Sequence, residues 1–298
     1  MKICIIDIGS NSVRLAMIAD GKTLYKRLAT TRLGEGLTFT GKISTDAMGR
    51  TVKALNDFKE FAKEEGAEKL FAFATAAVRS ASNREEFLSL VKSECGIEIE
   101  VISGENEAKL GMYGVLSAFP ERQKGKYSGI IDVGGASTEI TIQTEGKIVY
   151  TKSVDIGTVR LFDLAARDRK KLEKVIDEKI AQYMCPFNGK DFSLKMFAIG
   201  GTGTTIASTL QQLPVYLPEK VNGYTFNISD LSALTDKLFS LSVEEIRTLA
   251  GMEPRRVDVI SGGVLLLLKI ARLLKLENIT VSESDNIEGY YLLKEGKV

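Results

Sequence analysis

Apolar residues open the chain in a run, Ile3-Cys4-Ile5-Ile6, which stops at Asp7 and a Gly-Ser turn before an alternating stretch leaves through Val13, Leu15 and Met17. Period-two alternation with turn residues at Gly9 and Gly21 predicts three strands, Lys2–Ile8, Val13–Ala19 and Thr23–Thr30. The period then changes. Val52, Leu55, Phe58, Phe61 and Ala62 recur at helical spacing behind the N-cap candidates Ser44 and Thr45, so a helix to about Glu65 is expected, closed by Gly66. Strands Lys69–Ala74 and Glu98–Ile102 then alternate with helices Asn83–Glu94 and Glu105–Ala118. The order βββαβαβα implies a mixed sheet with helices packed on it.

The polar segment Glu121–Lys126 reads as a domain boundary, and beyond it the pattern starts again. Strands are expected over Tyr127–Val133, Thr138–Thr144 and Lys147–Val154, a helix over Leu172–Tyr183 and a strand over Lys195–Ile199. Gly200-Gly201-Thr202-Gly203-Thr204-Thr205 should open a helix, as a phosphate or nucleotide loop does, although it is neither GxGxxG nor GxxxxGK[ST]. Helices over Ser229–Leu238, Ser242–Leu249 and Arg256–Leu274 follow, then strand Asn278–Ser282 and helix Ile287–Glu295. Two α/β domains are therefore expected, 1–124 and 125–298, with a cleft between them and the last helix (287–298) packing back on the first.

The second half repeats the first in register. Ile6, Asp7, Gly9, Ser12 and Gly21 fall on Ile131, Asp132, Gly134, Ser137 and Gly146 at an offset of 125 residues. That is the signature of two related domains, each contributing one hairpin turn to a shared cleft. Successive backbone N–H groups at such a turn bind anions, and flanking carboxylates suit a hard cation. Phosphate with Mg2+ is the expected ligand pair, with Mn2+ as a substitute metal.

Composition narrows the chemistry. The chain has 298 residues, is 44% hydrophobic and 27% charged, and carries a formal net charge of +1. It therefore lacks the basic excess of a general nucleic-acid or membrane-surface binder. Histidine is absent, which excludes a Ser-His-Asp triad, histidine-ligated zinc and a phosphohistidine intermediate. Three cysteines form no metal spacing, and Met1-Lys2 leads straight into a strand, so a reduced cytoplasm is expected. The longest apolar run, Val259–Leu268, is too short to cross a bilayer.

The two turns, together with Leu33-Gly34-Glu35-Gly36-Leu37, Ala74-Thr75-Ala76-Ala77-Val78-Arg79, Ile102-Ser103-Gly104-Glu105-Asn106-Glu107, Ile156-Gly157-Thr158, Gly200-Gly201-Thr202 and Arg256-Val257-Asp258, resemble the exopolyphosphatase/guanosine pentaphosphate phosphohydrolase (Ppx/GppA) family nearly end to end. That family belongs to the acetate kinase, sugar kinase, Hsp70 and actin superfamily. The resemblance implies two duplicated ribonuclease-H-like (actin-like ATPase) domains and a phosphoanhydride hydrolase acting on inorganic polyphosphate or guanosine pentaphosphate, with a homodimer as the assembly to test. The chain departs from the family pattern at Ala136, Asn106, Asp285 and Ile287, and no ligand is expected near its C-terminus. The helical domain that longer relatives append, often of the histidine-dependent HD phosphohydrolase type, is not expected in a chain of this length without histidine.

Residue by residue, the resemblance makes Asp132 and Glu139 the metal ligands, Asp7 a third that acts through water, and Glu107 the general base. Glu107 sits in the first turns of a helix, whose N-terminal dipole is expected to keep it ionised. Glu105 reads as a capping acid. Gly9, Ser10, Asn11 and Ser12 are the phosphate donors of the first turn, and Gly134, Gly135, Ala136, Ser137 and Thr138 those of the second, with Gly201 and Thr202 beside them. Replacing a family glycine by Ala136 should hinder a positive φ and reshape the second turn. Arg14 and Arg79 are the side-chain phosphate contacts, since a guanidinium fork suits bidentate phosphate binding. Arg14 could instead lie on the outer face of its hairpin, and Arg160 is a weaker candidate. Arg167-Asp168-Arg169-Lys170-Lys171 reads as a solvated helix start. Two other classes share the architecture, an ATP-dependent small-molecule kinase and a nucleotide-sensing actin-like protein.

Overall fold

The alternating runs pair as two sheets of one design. The computed structural model describes residues 1–123, 127–190 and 193–298. Its first half contains β1 (Lys2–Ile8), β2 (Ser12–Ala19), β3 (Lys22–Thr30), α1 (Leu37–Thr40), α2 (Thr45–Glu64), β4 (Lys69–Ala74), α3 (Ala76–Ser80), α4 (Arg84–Cys95), β5 (Ile99–Val101) and α5 (Gly104–Ala118). The second contains β6 (Ser128–Val133), β7 (Thr138–Thr144), β8 (Lys147–Val154), α6 (Thr158–Ala165), α7 (Arg169–Ile180), β9 (Lys195–Ile199), α8 (Gly200–Leu210), α9 (Pro218–Val221), β10 (Thr225–Asn227), α10 (Ile228–Ser240), α11 (Val243–Arg247), α12 (Ile260–Leu273), β11 (Asn278–Val281) and α13 (Asn286–Lys294).

Strand order is β3-β2-β1-β4-β5 in one sheet and β10-β11-β9-β6-β7-β8 in the other. In each, an antiparallel meander of three strands continues into parallel strands on its inner side. The irregularity between Met17 and Ile18 recurs between Ile142 and Gln143, again 125 residues on. A shared bulge is a backbone mark of the repeat that the side chains do not advertise. The fold is thus the duplicated α/β architecture expected.

Helices begin where side chains can cap them. Ser44 Oγ accepts from Ala47 N at 3.2 Å and Ser103 Oγ from Asn106 N at 3.1 Å, starting α2 and α5. Asp168 accepts from Lys171 N at 3.1 Å, so α7 starts at Arg169 rather than Leu172, and its end tightens to a 3-10 turn over Ala181–Tyr183. The helix expected from Arg256 starts at Ile260, because Pro254–Arg256 forms its own 3-10 turn under the Glu253 cap. Unforeseen are α1, α3, α6, α9 and β10, all of eight residues or fewer. Of the expected boundary Glu121–Lys126, Pro120–Gln123 is a 3-10 turn, and 124–126 lie outside the described residues. Among the described residues no helix is long and apolar enough to cross a membrane.

Two helices position the site. α5 sends Met112, Val115 and Leu116 against Ile130, Phe197 and Ile199 of the second sheet, while Leu110 joins Ile3, Ile5 and Phe73 of the first. α13, which follows the second sheet's β11, buries Ile287, Tyr290 and Tyr291 in that first-sheet core. The two helices cross so closely that a Cβ on Gly289 would lie 1.9 Å from the Leu110 carbonyl oxygen. Tyr290 packs on Phe73 with ring centroids 4.6 Å apart. This crossing ties both sheets together behind the cleft.

Candidate active site

Gly9 N donates to Ser12 O at 3.1 Å in the β1–β2 turn, and Gly134 N to Ser137 O at 3.1 Å in the β6–β7 turn. A loop braces the first, with Arg32 N on Asn11 O (2.9 Å) and Gly34 N on Ser10 O (2.8 Å). The start of α6 braces the second, with Thr158 N on Gly134 O (2.9 Å) and Val159 N on Gly135 O (2.8 Å). The turns touch each other, since a Cβ on Gly135 would come within 2.7 Å of Ser10 Cβ. Between them is a narrow cavity of about 70 Å3, lined by both turns and by Asp7, Arg14, Thr75, Glu107, Asp132, Gly200, Gly201, Arg256 and Asn286.

Five buried carboxylates gather here: Asp7, Glu107, Asp132, Glu139 and Asp285. Asp132 and Glu139 are direct partners across β6 and β7, which puts both side chains on one face. Asp132 Oδ2 accepts from Asn286 Nδ2 at 3.2 Å, and Glu139 Oε1 from Ser153 Oγ at 2.7 Å. Asp7 Oδ2 accepts from Arg14 Nε at 3.1 Å and also from Nη2, while Arg14 Nη1 reaches Asp285. Asp7 Oδ1 and Glu139 Oε2 are buried without a partner among the described residues.

Burial, reinforced by the neighbouring Glu107, pushes the Asp132 carboxyl up to about 8, and burial with the charges of Glu107 and Asp132 drives Glu139 up as well. Burial also raises Asp7 against the pull of Arg14. Glu107 rises to about 7 through burial, opposed by Arg79, whose Nη1 donates to Glu107 Oε2 at 3.0 Å. The expectation that the helix N-terminus keeps Glu107 ionised is therefore corrected: loss of water outweighs the dipole, and Arg79 supplies the opposing charge.

Other sequence-based assignments change place. Arg79 does not line the phosphate turns; it donates to Ile102 O (3.0 Å) and Glu107, and borders a separate cavity with Gly104, Glu105 and Ser153. Thr138 and Thr202 spend their hydroxyls on the backbone, at Ile156 O (2.6 Å) and Val133 O (2.8 Å), so neither side chain is a phosphate donor. Arg14 faces the cleft, not the outer side of its hairpin. Arg160 Nε braces the second turn through Ala136 O at 3.1 Å. Ala136 is not among the residues of positive φ, so the missing glycine reshapes nothing. Glu105 pairs with Lys109 at 2.7 Å, away from the cavity.

Arg256, Asn286 and Thr75 were not foreseen as site residues. Burial and the charge of Arg14 push the Arg256 guanidinium down to about 10. Gly201 makes its room, because a Cβ there would lie 1.8 Å from Nη2. Gly200 has φ 70° and would put a Cβ 2.8 Å from Asp132 Oδ1, so both its backbone angle and its place beside the acid demand glycine. Arg256 lay within a quoted motif and could have been read from it. Asn286 carried no signal, since only the return of α13 brings it to Asp132.

Among the described residues, no three Asp, Glu or Cys side chains converge as a ready-made metal cage. The donor set does suit a cation that keeps most of its water. Two carboxylates share a face at Asp132 and Glu139, and Asp7 Oδ1 and Glu139 Oε2 lack partners among the described residues.

Two facing glycine turns with an acid-rich wall define a phosphate-handling enzyme, and the comparisons agree. Residues 14–296 match the Ppx/GppA phosphatase family. The chain belongs to that family and is a phosphatase-type hydrolase. Exopolyphosphatase 2 of Mycobacterium tuberculosis is 29% identical over 99% of both chains. The bifunctional 3-dehydroquinate synthase/phosphatase of Fusobacterium nucleatum is 31% identical over 96% of this chain but 46% of its own length, so this chain spans under half of that relative. The crystal structure of the Aquifex aeolicus Ppx/GppA family member superimposes with a TM-score of 0.80 at 29% identity, covering 100% of this chain and 98% of that one.

Proposed function

We propose that the cleft removes terminal phosphate from inorganic polyphosphate with Mg2+, or Mn2+ in its place, by direct attack of water. The observation that carries this is the charge balance between the two turns. Five buried carboxylates gather in and around the cavity, opposed by the guanidiniums of Arg14 and Arg256 and, behind Glu107, by that of Arg79, beside amides shaped for an anion. An anion enters such a site only with a cation, and Asp132 and Glu139 would hold it, with Asp7 reached through water. When bound, that cation supplies charge neutralisation for the phosphate oxygens. The Ser10–Ser12 and Gly134–Ser137 turns orient the phosphate, and Arg256 and Arg14 stand beside it. Glu107 takes the proton of the attacking water. A carboxyl near neutrality suits a general base, and Arg79 fixes its orientation. Phosphoanhydride cleavage needs positioning and electrostatics more than covalent help.

Similarity to an exopolyphosphatase along the chain favours polyphosphate over a nucleotide. The test is phosphate release from long-chain polyphosphate, guanosine pentaphosphate and ATP, each with Mg2+ and with chelator. Release from polyphosphate that chelator abolishes is expected. Preference for guanosine pentaphosphate would move the substrate, transfer from ATP to an acceptor would make the protein a kinase, and full activity in chelator would remove the metal.

A further inference from the structure

Arg14 does not stand free in the cleft. Its guanidinium has five N–H groups. Asp7 Oδ2 takes one from Nε (3.1 Å) and one from Nη2, and Asp285 Oδ2 takes one from Nη1, which leaves two for any ligand. Both acids are buried, with exposures of 4% and 3%, and with both ionised the trio carries net negative charge. A phosphate arriving at the first turn meets an arginine already outnumbered.

Asp285 is held rigidly in that role. Its Oδ1 accepts from Ile287 N at 3.1 Å, and its own N–H donates to Glu288 Oε2 at 3.0 Å, a reciprocal cap at the start of α13. Beyond the cap, Lys26 pairs with Glu288 at 2.9 Å and fixes it to β3. The electrostatics agree with the geometry. Burial would raise the Asp285 carboxyl, but Arg14 and Lys26 outweigh it and hold the group below its ordinary range.

We infer that Asp285 is a specificity-determining residue that competes with substrate and product phosphate for Arg14, keeping their ground-state affinity low. The inference rests on the phosphate reading of the cleft. Strong binding of orthophosphate would stall an enzyme that makes it at every turnover, and uniform tightening of substrate does not raise kcat. A carboxylate that shares the arginine weakens both. Asp285 acts through Arg14 and is a positioning residue.

Asp285→Asn tests this, because asparagine caps a helix as well as aspartate does and keeps the side-chain shape while losing the charge. Asp285→Ser, also a good cap but too short to bridge, is the second variant. Calorimetry with Mg2+ and imidodiphosphate, which is not hydrolysed, should show binding about tenfold tighter in both. KM for polyphosphate and the inhibition constant of orthophosphate should fall by a similar factor, with kcat no higher. In an Arg14→Gln background the same changes should gain nothing. Equal or weaker binding in both variants, or an equal gain without Arg14, overturns the inference and leaves the function standing. If neither wild type nor variants bind imidodiphosphate with Mg2+, the phosphate reading falls and takes this inference with it.

Discussion

The two turns share a backbone but differ in charge at one position. Arg14 pairs across the first hairpin with Asp7, and Glu139, 125 residues later, pairs across the second with Asp132. One hairpin is therefore an ion pair and the other a pair of like charges. Within a buried cleft those are opposite problems. The first acid has an arginine partner within its own lobe, which opposes the rise that burial causes; the second faces another acid, and burial together with neighbouring carboxylates drives Asp132 and Glu139 up, a state that a proton or a cation relieves. On the proposed function, the repeat supplies two turns that orient the phosphate, and the reversal of sign between Arg14 and Glu139 confines the direct metal ligands to the second hairpin.

The proposed base, Glu107, lies outside this symmetry, and its loss should cost most. Glu107→Gln keeps size and hydrogen bonding but removes the proton acceptor. General bases contribute roughly 10²- to 10⁴-fold, so turnover should fall at least about a hundredfold while polyphosphate still binds with Mg2+. Steady-state rates together with a binding assay check this. A near wild-type rate in Glu107→Gln, with Glu105→Gln impaired, would mean that the base has been assigned to the wrong acid.

The asymmetry itself is tested next. Asp132→Asn should raise the Mg2+ concentration for half-maximal activity by at least about tenfold, whereas Asp7→Asn should raise it less, since Arg14 already neutralises that acid. Metal titrations of the two variants decide the matter, and equal shifts would break the division of labour. A smaller effect is expected from Gly135→Ala. Its Cβ would sit 2.7 Å from Ser10 Cβ and 3.1 Å from Asn11 N, so the turns must part. Overpacking of this kind costs about 1–3 kcal/mol, and thermal unfolding together with kcat should both register it.

Much of this comparison was readable before folding. Alternation located the strands, Ser44 announced its helix, and the offset of 125 residues put Asp7 and Asp132 in matching turns. The failures have physical causes. α3 and α6 are five and eight residues long and lack side-chain caps, so neither period nor N-cap marks them. The loss of solvent around Glu107 comes from packing between lobes, which no local window contains. Thr138 and Thr202 looked like donors, but their hydroxyls serve backbone carbonyls that only the fold brings near. Asp285 and Asn286 were passed over because their partners, Arg14 and Asp132, lie 271 and 154 residues away.

The smallest expected effect concerns Ala136, which stands opposite Asn11 in the repeat where the family pattern has glycine. If glycine were needed for its backbone freedom, alanine here would impose strain and Ala136→Gly would relieve it, raising both stability and activity. The geometry argues otherwise. Neither Ala136 nor Asn11 has a positive φ, Ala136 is 5% exposed, and its carbonyl accepts from Arg160 Nε at 3.1 Å. The first turn performs the same bend with asparagine. Glycine would then only enlarge the conformational entropy of the unfolded chain, a cost of about 0.4–1 kcal/mol where alanine is unstrained. Ala136→Gly should therefore lower the unfolding midpoint in denaturant slightly and leave kcat and KM within about twofold, well inside one decade of rate. Increases in both stability and kcat would show that the second turn is strained by its alanine, and that the two hairpins differ in backbone as well as in charge.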